Sequence, residues 1–523
     1  MNFHQAGSLW RERPDLAPGP ALLLTSGGDE RIHLDPKTRQ NRYATTATPR
    51  PDEVFLSSST ASTITPRAYR AAEAACAELS ADSPSGYSQI DRLFDDLRGR
   101  LLALFGAAGG NVVLAGSGTE VELIALAIAR SIAPGPLTNI VVAPAETGSG
   151  VLRAAAGVHF LDSTPFGEDR NAGKRLNGWV DADIKAETVE IRDSPGNPRT
   201  DAAIDSDARD RAHAALAAGR NVLLHCLETS KTGRSGVTAA AAAQIAGDAP
   251  ERVVVIVDCC QMRSSRRLIR QHLERGFMVA ITGSKFFGGP PFSGALLLPP
   301  RLLRRIGRLA LPDGLADYSS RLDWPEGLRA RTELRWRHEA NLGLGLRWVA
   351  ALEEMERFYA LPGDLRRKAL TTFADEVRKR SQSADHIHEI GRRSSPCAPD
   401  TILSFAMTHP DGAPFSPAET AAVHARLRQR RPESPEGSGD TRIFHLGQPV
   451  AIGSRTALRV CASAPLISDI AERVVAGETI ESAFSRWGEN IDQLFAKWVR
   501  MTTEISARCR VETPVGQIFE RAQ

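Results

Sequence analysis

The sequence lacks the segments that mark a secreted or membrane-embedded protein. Its first residues, MNFHQAGSLWRERPDL, contain no basic stretch followed by an apolar run, as a signal peptide would. No uninterrupted apolar stretch reaches the roughly 20 residues that a transmembrane helix needs. Cysteine is scarce and odd in number, with seven residues scattered along the chain, which disfavours a disulfide framework and indicates reduced thiols. We therefore expect a cytoplasmic protein.

The chain also lacks an excess of charge of either sign. It has 65 basic and 62 acidic residues, for a net charge of +3, and its basic runs have no interleaved aromatic residues. Composition therefore gives no indication of a nucleic-acid or membrane partner. Cys259 and Cys260 have no second pair at metal-binding spacing, so we expect no metal site and interpret both as packing residues.

The segment from residue 253 to 298 carries the strongest functional signal. An apolar run, Val253 to Val257, ends at Asp258; a polar, basic stretch of helical length follows, and a second run, Met278 to Thr282, leads to Lys285. This order predicts a strand, a helix and a parallel strand. Because ligands bind at the carboxyl edge of an open parallel sheet, we expect Asp258 and Lys285 to face one pocket.

An amine and a carboxylate in one pocket suit one cofactor in particular. A lysine forms a Schiff base with an aldehyde, and a carboxylate keeps a pyridine nitrogen protonated so that the ring accepts electrons from a carbanion. Pyridoxal phosphate offers both groups. Taken singly, Asp258 is also a common helix-capping residue and Lys285 a common solvated loop residue, so the pair needs a third signal.

That signal lies upstream, in GSGTE at Gly116 to Glu120. The motif follows the apolar run NVVLA and opens a helical pattern. The free N–H groups of a helix N-terminus, with the Thr119 hydroxyl, suit a phosphate. A Gly-rich turn is a weak signal alone. A phosphate turn, an acid and a lysine at the ends of successive strands form a much stronger combination.

These blocks resemble the fold-type I pyridoxal-phosphate-dependent enzymes when HCLETSKTG at 225–233, DCCQ at 258–261 and TGSK at 282–285 are added. The order of motifs is most similar to the class V aminotransferase group, which includes cysteine desulfurases and kynureninase, over roughly residues 40 to 470. The resemblance implies a large α/β domain whose mainly parallel sheet lies between helices. It also implies a smaller C-terminal α+β domain and a homodimer.

The resemblance assigns roles residue by residue. Lys285 matches the lysine that holds pyridoxal phosphate as an internal aldimine, and Asp258 matches the partner of its pyridine nitrogen; these are the expected catalytic residues. The expected cofactor-binding set further comprises Gly118, Thr119 and Thr282 for the phosphate, Gln261 for the ring hydroxyl, Glu228, Thr229 and Ser230 beside the ring, and Ser284. Arg459 matches the arginine that binds the substrate carboxylate, a task that suits a planar guanidinium.

Other residues are candidates for the rim of the pocket. Ser59 and Ser62 lie in a Ser/Thr-rich loop before a predicted helix that begins at Thr65 and Pro66, and we expect this loop to contact substrate. Further candidates for the rim are Asn41, Arg42 and Tyr43 of an extended N-terminal arm, Tyr87, His445 and Gln448. The alternatives for these residues are a solvated surface arm without chemistry and a Tyr87 side chain that packs on the surface. The alternatives are that the Ser/Thr run is only a cap or turn, and that Arg459 is a surface ion-pair partner.

Short apolar runs recur between residues 100 and 300 and alternate with helical stretches, which predicts a mainly parallel sheet covered on both faces. The runs lie at 112–115, 140–143, 158–161, 221–225, 253–257, 278–282 and 294–298. The span 162–212 breaks this rhythm and is interpreted as an insertion with its own hairpin or as a mobile flap. We divide the chain into an N-terminal arm and substrate loop (1–65), a large cofactor-binding domain (66–345) and a small C-terminal domain (346–523) with strands in TILSFAM and ALRVCAS.

The resemblance implies a pyridoxal-phosphate-dependent enzyme acting on an amino acid or amine, and we expect an aminotransferase. Desulfurases carry His before the lysine and Asn before the Glu of the strand-end turn, where this chain has Ser284 and Leu227; the ring-stacking residue has no evident counterpart in APAETGSG (143–150). A C–S lyase or desulfurase would need a mobile thiol, for which Cys397 is the loop candidate. A decarboxylase, a condensing enzyme and a non-catalytic protein of this fold are the remaining alternatives.

Overall fold

The computed structural model describes residues 19–80, 86–391, 399–430 and 442–512. The strands in these ranges are β1 (Val54–Leu56), β2 (Asn111–Ala115), β3 (Leu137–Val142), β4 (Ile184–Val189), β5 (Asn221–Leu227), β6 (Val253–Asp258), β7 (Met278–Thr282), β8 (Gly294–Leu298), β9 (Ile387–Ile390), β10 (Ile402–Met407), β11 (Phe444–Ile452) and β12 (Arg455–Cys461). They form two sheets, and the predicted strands in TILSFAM and ALRVCAS are confirmed as β10 and β12.

Helices cover the sheets and link them. Those in the described ranges are α1 (Pro20–Leu24), α2 (Pro66–Ser80), α3 (Gly86–Phe105), α4 (Gly118–Ile132), α5 (Val151–Ala155), α6 (Asp201–Ala217), α7 (Ala239–Asp248), α8 (Arg266–Glu274), α9 (Pro300–Leu303), α10 (Glu326–Arg329), α11 (Leu342–Ala360), α12 (Gly363–Ser381), α13 (Pro417–Leu427), α14 (Ala464–Val475) and α15 (Ile480–Glu512). None of these helices combines the length and the apolar character that crossing a bilayer requires.

The larger sheet has the strand order β2-β8-β7-β6-β5-β3-β4. Strands β7, β6, β5, β3 and β4 pair in parallel, and β8 is antiparallel to both β7 and β2. Val255 and Val257 of β6 belong to the hydrophobic cluster on one face, and Val254 and Ile256 to the cluster on the other. Burial of both faces explains why the strand is apolar throughout. The predicted α/β class with a mainly parallel sheet is confirmed.

The strand–helix–strand unit predicted around Asp258 is confirmed. Helix α8 connects β6 to β7, and its N-cap Ser265 accepts a hydrogen bond from the Leu268 N–H. The two strands pair in parallel with Asp258 opposite Ala280. Asp258 and the loop that contains Lys285 therefore leave the sheet at the same edge.

The smaller sheet has the order β1-β11-β12-β10-β9, and β1 comes from the N-terminal part of the chain. Val54 of β1 pairs in parallel with Phe444 of β11. This pairing holds the following Ser/Thr loop, residues 57–63, beside the C-terminal strands. The domain boundaries assigned from the sequence stay a prediction.

The N-terminal arm is packed against the body of the protein rather than merely extended. Arg347 of α11 is fully buried and donates hydrogen bonds to the carbonyl groups of Ser26 (2.5 Å), Gly27 (3.0 Å) and Phe292 (2.7 Å). Leu24 adds buried apolar surface to the same region. A guanidinium satisfied by backbone carbonyls is a contact that sequence patterns do not reveal.

The interpretation of residues 162–212 is wrong for its second half. Residues 184–189 form β4, which pairs in parallel with β3 at the edge of the larger sheet, and α6 begins at Asp201. Charged side chains such as Lys185 and Glu187 are typical of an exposed edge strand. Because of these charges, a search for apolar runs does not detect the strand. The predicted strand at 158–161 is also wrong, because Val158 makes only an isolated bridge to Arg175.

We predict that Gly283→Ala lowers the free energy of unfolding by about 1–3 kcal/mol, because overpacking strains a dense core. A Cβ at Gly283 would lie 2.3 Å from the Ala351 Cβ and 3.1 Å from the Ser293 Oγ. The matched control is Gly99→Ala, on an exposed part of α3 where an added Cβ meets nothing within 4 Å; it should raise stability by about 0.5–1 kcal/mol. Urea unfolding of both variants checks this, and equal effects would contradict the packing account.

Candidate active site

A cavity of about 300 Å³ opens at the carboxyl edge of the larger sheet. It lies at the small end of the range for ligand pockets. The predicted residues that line it are Tyr43, Ser59, Gly118, Thr119, Thr229, Asp258, Gln261, Thr282, Ser284, Lys285, Gln448 and Arg459. The structure thus brings the predicted acid, amine, phosphate turn and carboxylate-binding arginine to one place.

The acid and the amine come from neighbouring strands. The Asp258 Oδ1 accepts the Cys260 N–H at 2.8 Å, which holds the half-buried carboxylate at the end of β6. Lys285 follows β7, and the Gly288 N–H donates to its carbonyl group at 3.0 Å, which fixes the loop. Across the described ranges, the Lys285 amine has no hydrogen-bond or ion-pair partner. An unpaired amine in the wall of a cavity is available to a ligand.

The N-terminus of α4 is a candidate cradle for an anion. Ser117 and Glu120 form a capping box, in which the Glu120 carboxylate accepts the Gly116 N–H at 2.5 Å and the Ser117 N–H at 3.2 Å. Gly118 and Thr119 follow the cap and line the cavity, and N–H groups in the first turn of a helix lack intrahelical acceptors. Burial, helped by a nearby carboxylate, raises the pKa of Glu120 to about 8. At neutral pH its side chain is therefore mainly uncharged and does not repel an anion.

Arg31 brings a positive charge to this cradle, and sequence reasoning missed it. It forms an ion pair with Asp29 at 2.6 Å and donates a hydrogen bond to the Ser117 Oγ at 3.3 Å. It also lines the cavity. Arg31 and Ser117 are 86 positions apart, so no local motif connects them, and only the packing of the N-terminal arm reveals the contact.

Gln261 and Thr282 are held in place by backbone carbonyls. The Gln261 Nε2 donates to the Ser59 carbonyl at 3.0 Å, and the Thr282 hydroxyl donates to the Cys260 carbonyl at 2.7 Å. The Gln261 Oε1 is buried and, among the described residues, has no hydrogen-bond partner. A buried orphan acceptor beside a cavity indicates a group that a ligand satisfies.

Arg459 is buried rather than exposed. It is 1% exposed and donates hydrogen bonds to the Lys231 carbonyl at 3.2 Å, to the Thr60 hydroxyl at 3.2 Å and to the Gln448 carbonyl. Its Nε has no partner, and within the described part of the chain no carboxylate lies at ion-pair distance. The alternative that Arg459 is a surface ion-pair partner is therefore wrong. Burial lowers the pKa of Arg459, and a carboxylate ligand would offset the cost of that burial.

Several predicted residues lie away from the cavity. The Glu228 carboxylate accepts the Ser264 hydroxyl at 2.7 Å, and the Ser230 hydroxyl donates to Glu146 at 2.9 Å. Thr229, between them, lines the cavity, because successive side chains of an extended turn point in different directions. Ser62 lines a separate cavity of about 910 Å³. The set of cavity-lining residues is therefore smaller than the set predicted from neighbouring positions in the sequence.

The remaining rim candidates divide in the same way. Tyr43 and Gln448 line the cavity, whereas the Asn41 side chain accepts the N–H groups of its own turn. Arg42 is exposed, and its carbonyl group accepts a hydrogen bond from the Gln448 Nε2. His445 pairs with Glu53 at 2.7 Å. The Tyr87 side chain and Cys397 lie outside the described residues.

The two adjacent cysteines differ in their surroundings. Cys259 packs in the hydrophobic core, as predicted, but Cys260 also lines the cavity. Burial, and next the Asp258 carboxylate, raise the pKa of the Cys260 thiol well above its usual value. Cys260 is therefore a protonated thiol at neutral pH. Within the described ranges, no group of three or more His, Cys, Asp and Glu side chains is arranged to hold a metal ion.

Lys231 is a second lysine in the cavity wall, and sequence reasoning passed over it. It follows Ser230 in the block HCLETSKTG, so its place at a strand end was a signal. Burial, together with the charges of Arg459 and Lys285, lowers the pKa of Lys231 to about 8. Its amine has no hydrogen-bond or ion-pair partner in the described part of the molecule.

Glu146 supports the same part of the cavity wall, where its carbonyl group accepts the Lys231 N–H at 2.8 Å. It is buried in the stretch 143–150, forms an ion pair with Arg192 and accepts the hydroxyl groups of Ser230 and Thr232. The neighbouring residues Thr147 and Gly148 line the cavity. Glu146 of this buried ion pair lies in the stretch 143–150, where the resemblance predicts a ring-stacking side chain.

Arg192→Met should lower the free energy of unfolding by about 3 kcal/mol, because it leaves the Glu146 carboxylate buried without a cation. The side chains of this pair are 10% and 5% exposed. The control is Arg308→Met, which breaks a pair whose side chains are 69% and 81% exposed and should cost less than about 1 kcal/mol. Denaturant unfolding gives both values, and equal losses would show that the Glu146 pair does not support the wall.

Comparison with known proteins places the fold. No protein-family model and no curated protein matches the chain. The structure of TDC from Oryza sativa with PLP and tryptamine is similar, at 15% identity, over 87% of this chain and 84% of that one, with a TM-score of 0.50. The cysteine desulfurase CsdA from Escherichia coli is 16% identical over 86% of this chain and 94% of its own, with a TM-score of 0.49. At such identities the likeness shows the fold alone, and that fold is the fold-type I architecture of pyridoxal-phosphate-dependent enzymes.

Proposed function

We propose that the protein is a pyridoxal-phosphate-dependent enzyme that acts on an amino acid or amine, and that its reaction is transamination. The observation that carries the proposal is the convergence of Lys285 and Asp258 on one cavity of about 300 Å³, beside the helix N-terminus at Gly118. The fold provides a setting for this chemistry but does not by itself identify it. The homodimer and the cytoplasmic location stay predictions.

The residues of the cavity fit the groups of this cofactor. A phosphate suits the first N–H groups of α4 and the Arg31 guanidinium. A protonated pyridine nitrogen suits the Asp258 carboxylate, and the ring hydroxyl suits the buried Gln261 Oε1, which has no partner among the described residues. The Lys285 amine suits the aldehyde. Each polar group of the cofactor would thus have a counterpart of opposite or complementary character in the cavity wall.

The chain's own side chains would then perform the chemistry. When bound, pyridoxal phosphate supplies an aldehyde that joins reversibly to an amine and a ring that takes up the electron pair released at the α-carbon. Asp258 would hold a proton on the ring nitrogen, which its fixed position at the end of β6 permits. Lys285 would act as the base that moves a proton to and from the α-carbon. Arg459 would bind and orient the α-carboxylate.

Arg459 also favours transamination over decarboxylation. A buried guanidinium stabilises the α-carboxylate as an anion and so opposes its loss as carbon dioxide. The α-proton is then the group that Lys285 removes. A sulfur-transfer reaction would require a thiolate, and the only cysteine in the described cavity wall, Cys260, has a thiol whose pKa is raised by burial.

Reduction with borohydride should attach the cofactor to Lys285 and not to Lys231. Protein incubated with pyridoxal phosphate and then reduced is digested, and the labelled peptide is identified by mass. We expect one label per chain in the wild type and in Lys231→Ala, and none in Lys285→Ala, because Lys285 stands in TGSK, the block that resembles the cofactor-binding lysine segment of fold-type I enzymes. A label on Lys231, whose lowered pKa also suits an aldehyde, would contradict the assignment.

Single-turnover incubation with amino acids separates the possible reactions. With cofactor-loaded protein and no acceptor, transamination yields one equivalent of keto acid and the aminated cofactor. Release of carbon dioxide or sulfide in place of keto acid would contradict the proposal and favour a lyase. An unchanged cofactor spectrum with every amino acid would favour a protein that only binds the cofactor.

Arg459→Gln should raise the KM for the amino acid by about tenfold or more, because a charged hydrogen bond is lost.

A further inference from the structure

We infer, on the basis of the function proposed above, that the substrate is a small amino acid with a second acidic group. In this assignment Arg459 binds the α-carboxylate and Lys231 binds the second carboxylate. Lys231 is thus a specificity-determining residue of the site.

The two cations are neighbours in one wall of the cavity. The Arg459 guanidinium donates to the backbone carbonyl of Lys231 at 3.2 Å, and both side chains line the cavity. In the described ranges neither has a carboxylate at ion-pair distance, and the Arg459 Nε has no partner at all. Arg459 is buried and Lys231 is half-buried, and cations withdrawn from water normally have anionic partners. Their partners are therefore expected to come from the ligand.

The charged groups of the cavity leave two cations for the substrate. Asp29 pairs with Arg31, and Arg192 pairs with Glu146. When the cofactor is bound, Lys285 would be engaged by its aldehyde, Asp258 by its protonated ring nitrogen, and the N-terminus of α4 with Arg31 by its phosphate. A substrate with one carboxylate would then leave either Lys231 or Arg459 without an anionic partner.

The surroundings of Arg459 make this part of the cavity polar. Thr60 and Gln448 line the same region as Arg459 and accept its hydrogen bonds. Because Arg459 and Lys231 are neighbours, a short dicarboxylic amino acid, such as aspartate or glutamate, matches the two cations, whereas an apolar side chain does not.

The charge of Lys231 depends on pH in the working range. Its amine faces Arg459, Lys285 and Glu146, and burial and the two cations lower its pKa to about 8. The amine is therefore a cation below pH 8 and loses its charge as the pH rises through that value. Affinity for a dicarboxylate should fall over the same interval, and it should not fall when arginine replaces Lys231, because arginine stays charged.

The test compares a dicarboxylate with a monocarboxylate. Dissociation constants of succinate and propionate are measured by titration calorimetry on cofactor-loaded wild type, Lys231→Met and Lys231→Arg, with Lys37→Met as the control at an exposed site. We expect Lys231→Met to weaken succinate binding by about tenfold and to leave propionate binding within about twofold. Lys231→Arg should retain succinate binding from pH 7 to 9, while the wild type loses it. The control should match the wild type.

Two outcomes would overturn the inference. Equal weakening of succinate and propionate in Lys231→Met would mean that Lys231 and Arg459 share one carboxylate, and unchanged succinate binding would mean that Lys231 binds none. Thermal unfolding of each variant excludes misfolding as the cause. Cofactor content, measured by absorbance in the same samples, keeps the two proposals separate. If the wild type does not bind the cofactor, the proposed function is contradicted. If the cofactor-loaded wild type binds succinate no better than propionate, only the inferred substrate class is contradicted.

Discussion

The parallel pairing of β6 with β7 is the constraint on which the site depends. Asp258 lies opposite Ala280, so both strands end at one edge of the sheet, and the acid and the Lys285 loop emerge together. Apolar residues on both faces of β6 bury this strand between the two layers that cover the sheet. Because β8 pairs antiparallel with both β7 and β2, strand β2 runs in the same direction as β7, and α4 begins at the same edge of the sheet. Sheet topology therefore brings the anion cradle and Asp258 to one edge, although they are far apart in the sequence.

A second feature, the charge of the cavity, follows from the meeting of the two sheets. The larger sheet supplies Asp258, Lys285 and the turn with Lys231, and β12 of the smaller sheet supplies Arg459. Holding buried cations without acidic partners lowers stability, and such sites persist where a ligand compensates. The same arrangement explains the lowered pKa values of Lys231 and Arg459. The geometry of these cations and the pKa shifts that follow from it both favour an anionic ligand.

The sequence predicted the centre of the site better than its surroundings. Asp258, Lys285 and Gly118 follow apolar strands, and the rule that parallel strands end at one edge was enough to group them. Arg31 and β1 could not be predicted, because both depend on packing between segments far apart in the chain. Glu228, Ser230 and Ser62 do not line the cavity, because the sequence of a loop does not reveal which side chains point inward.

The most direct test of the account is a crystal structure of the protein grown with pyridoxal phosphate. The account predicts electron density that continues from the Lys285 Nζ into the cofactor, with the ring nitrogen at hydrogen-bond distance from Asp258. It also predicts the phosphate at the N-terminus of α4. Density attached to another lysine, or a cofactor bound outside this cavity, would contradict it.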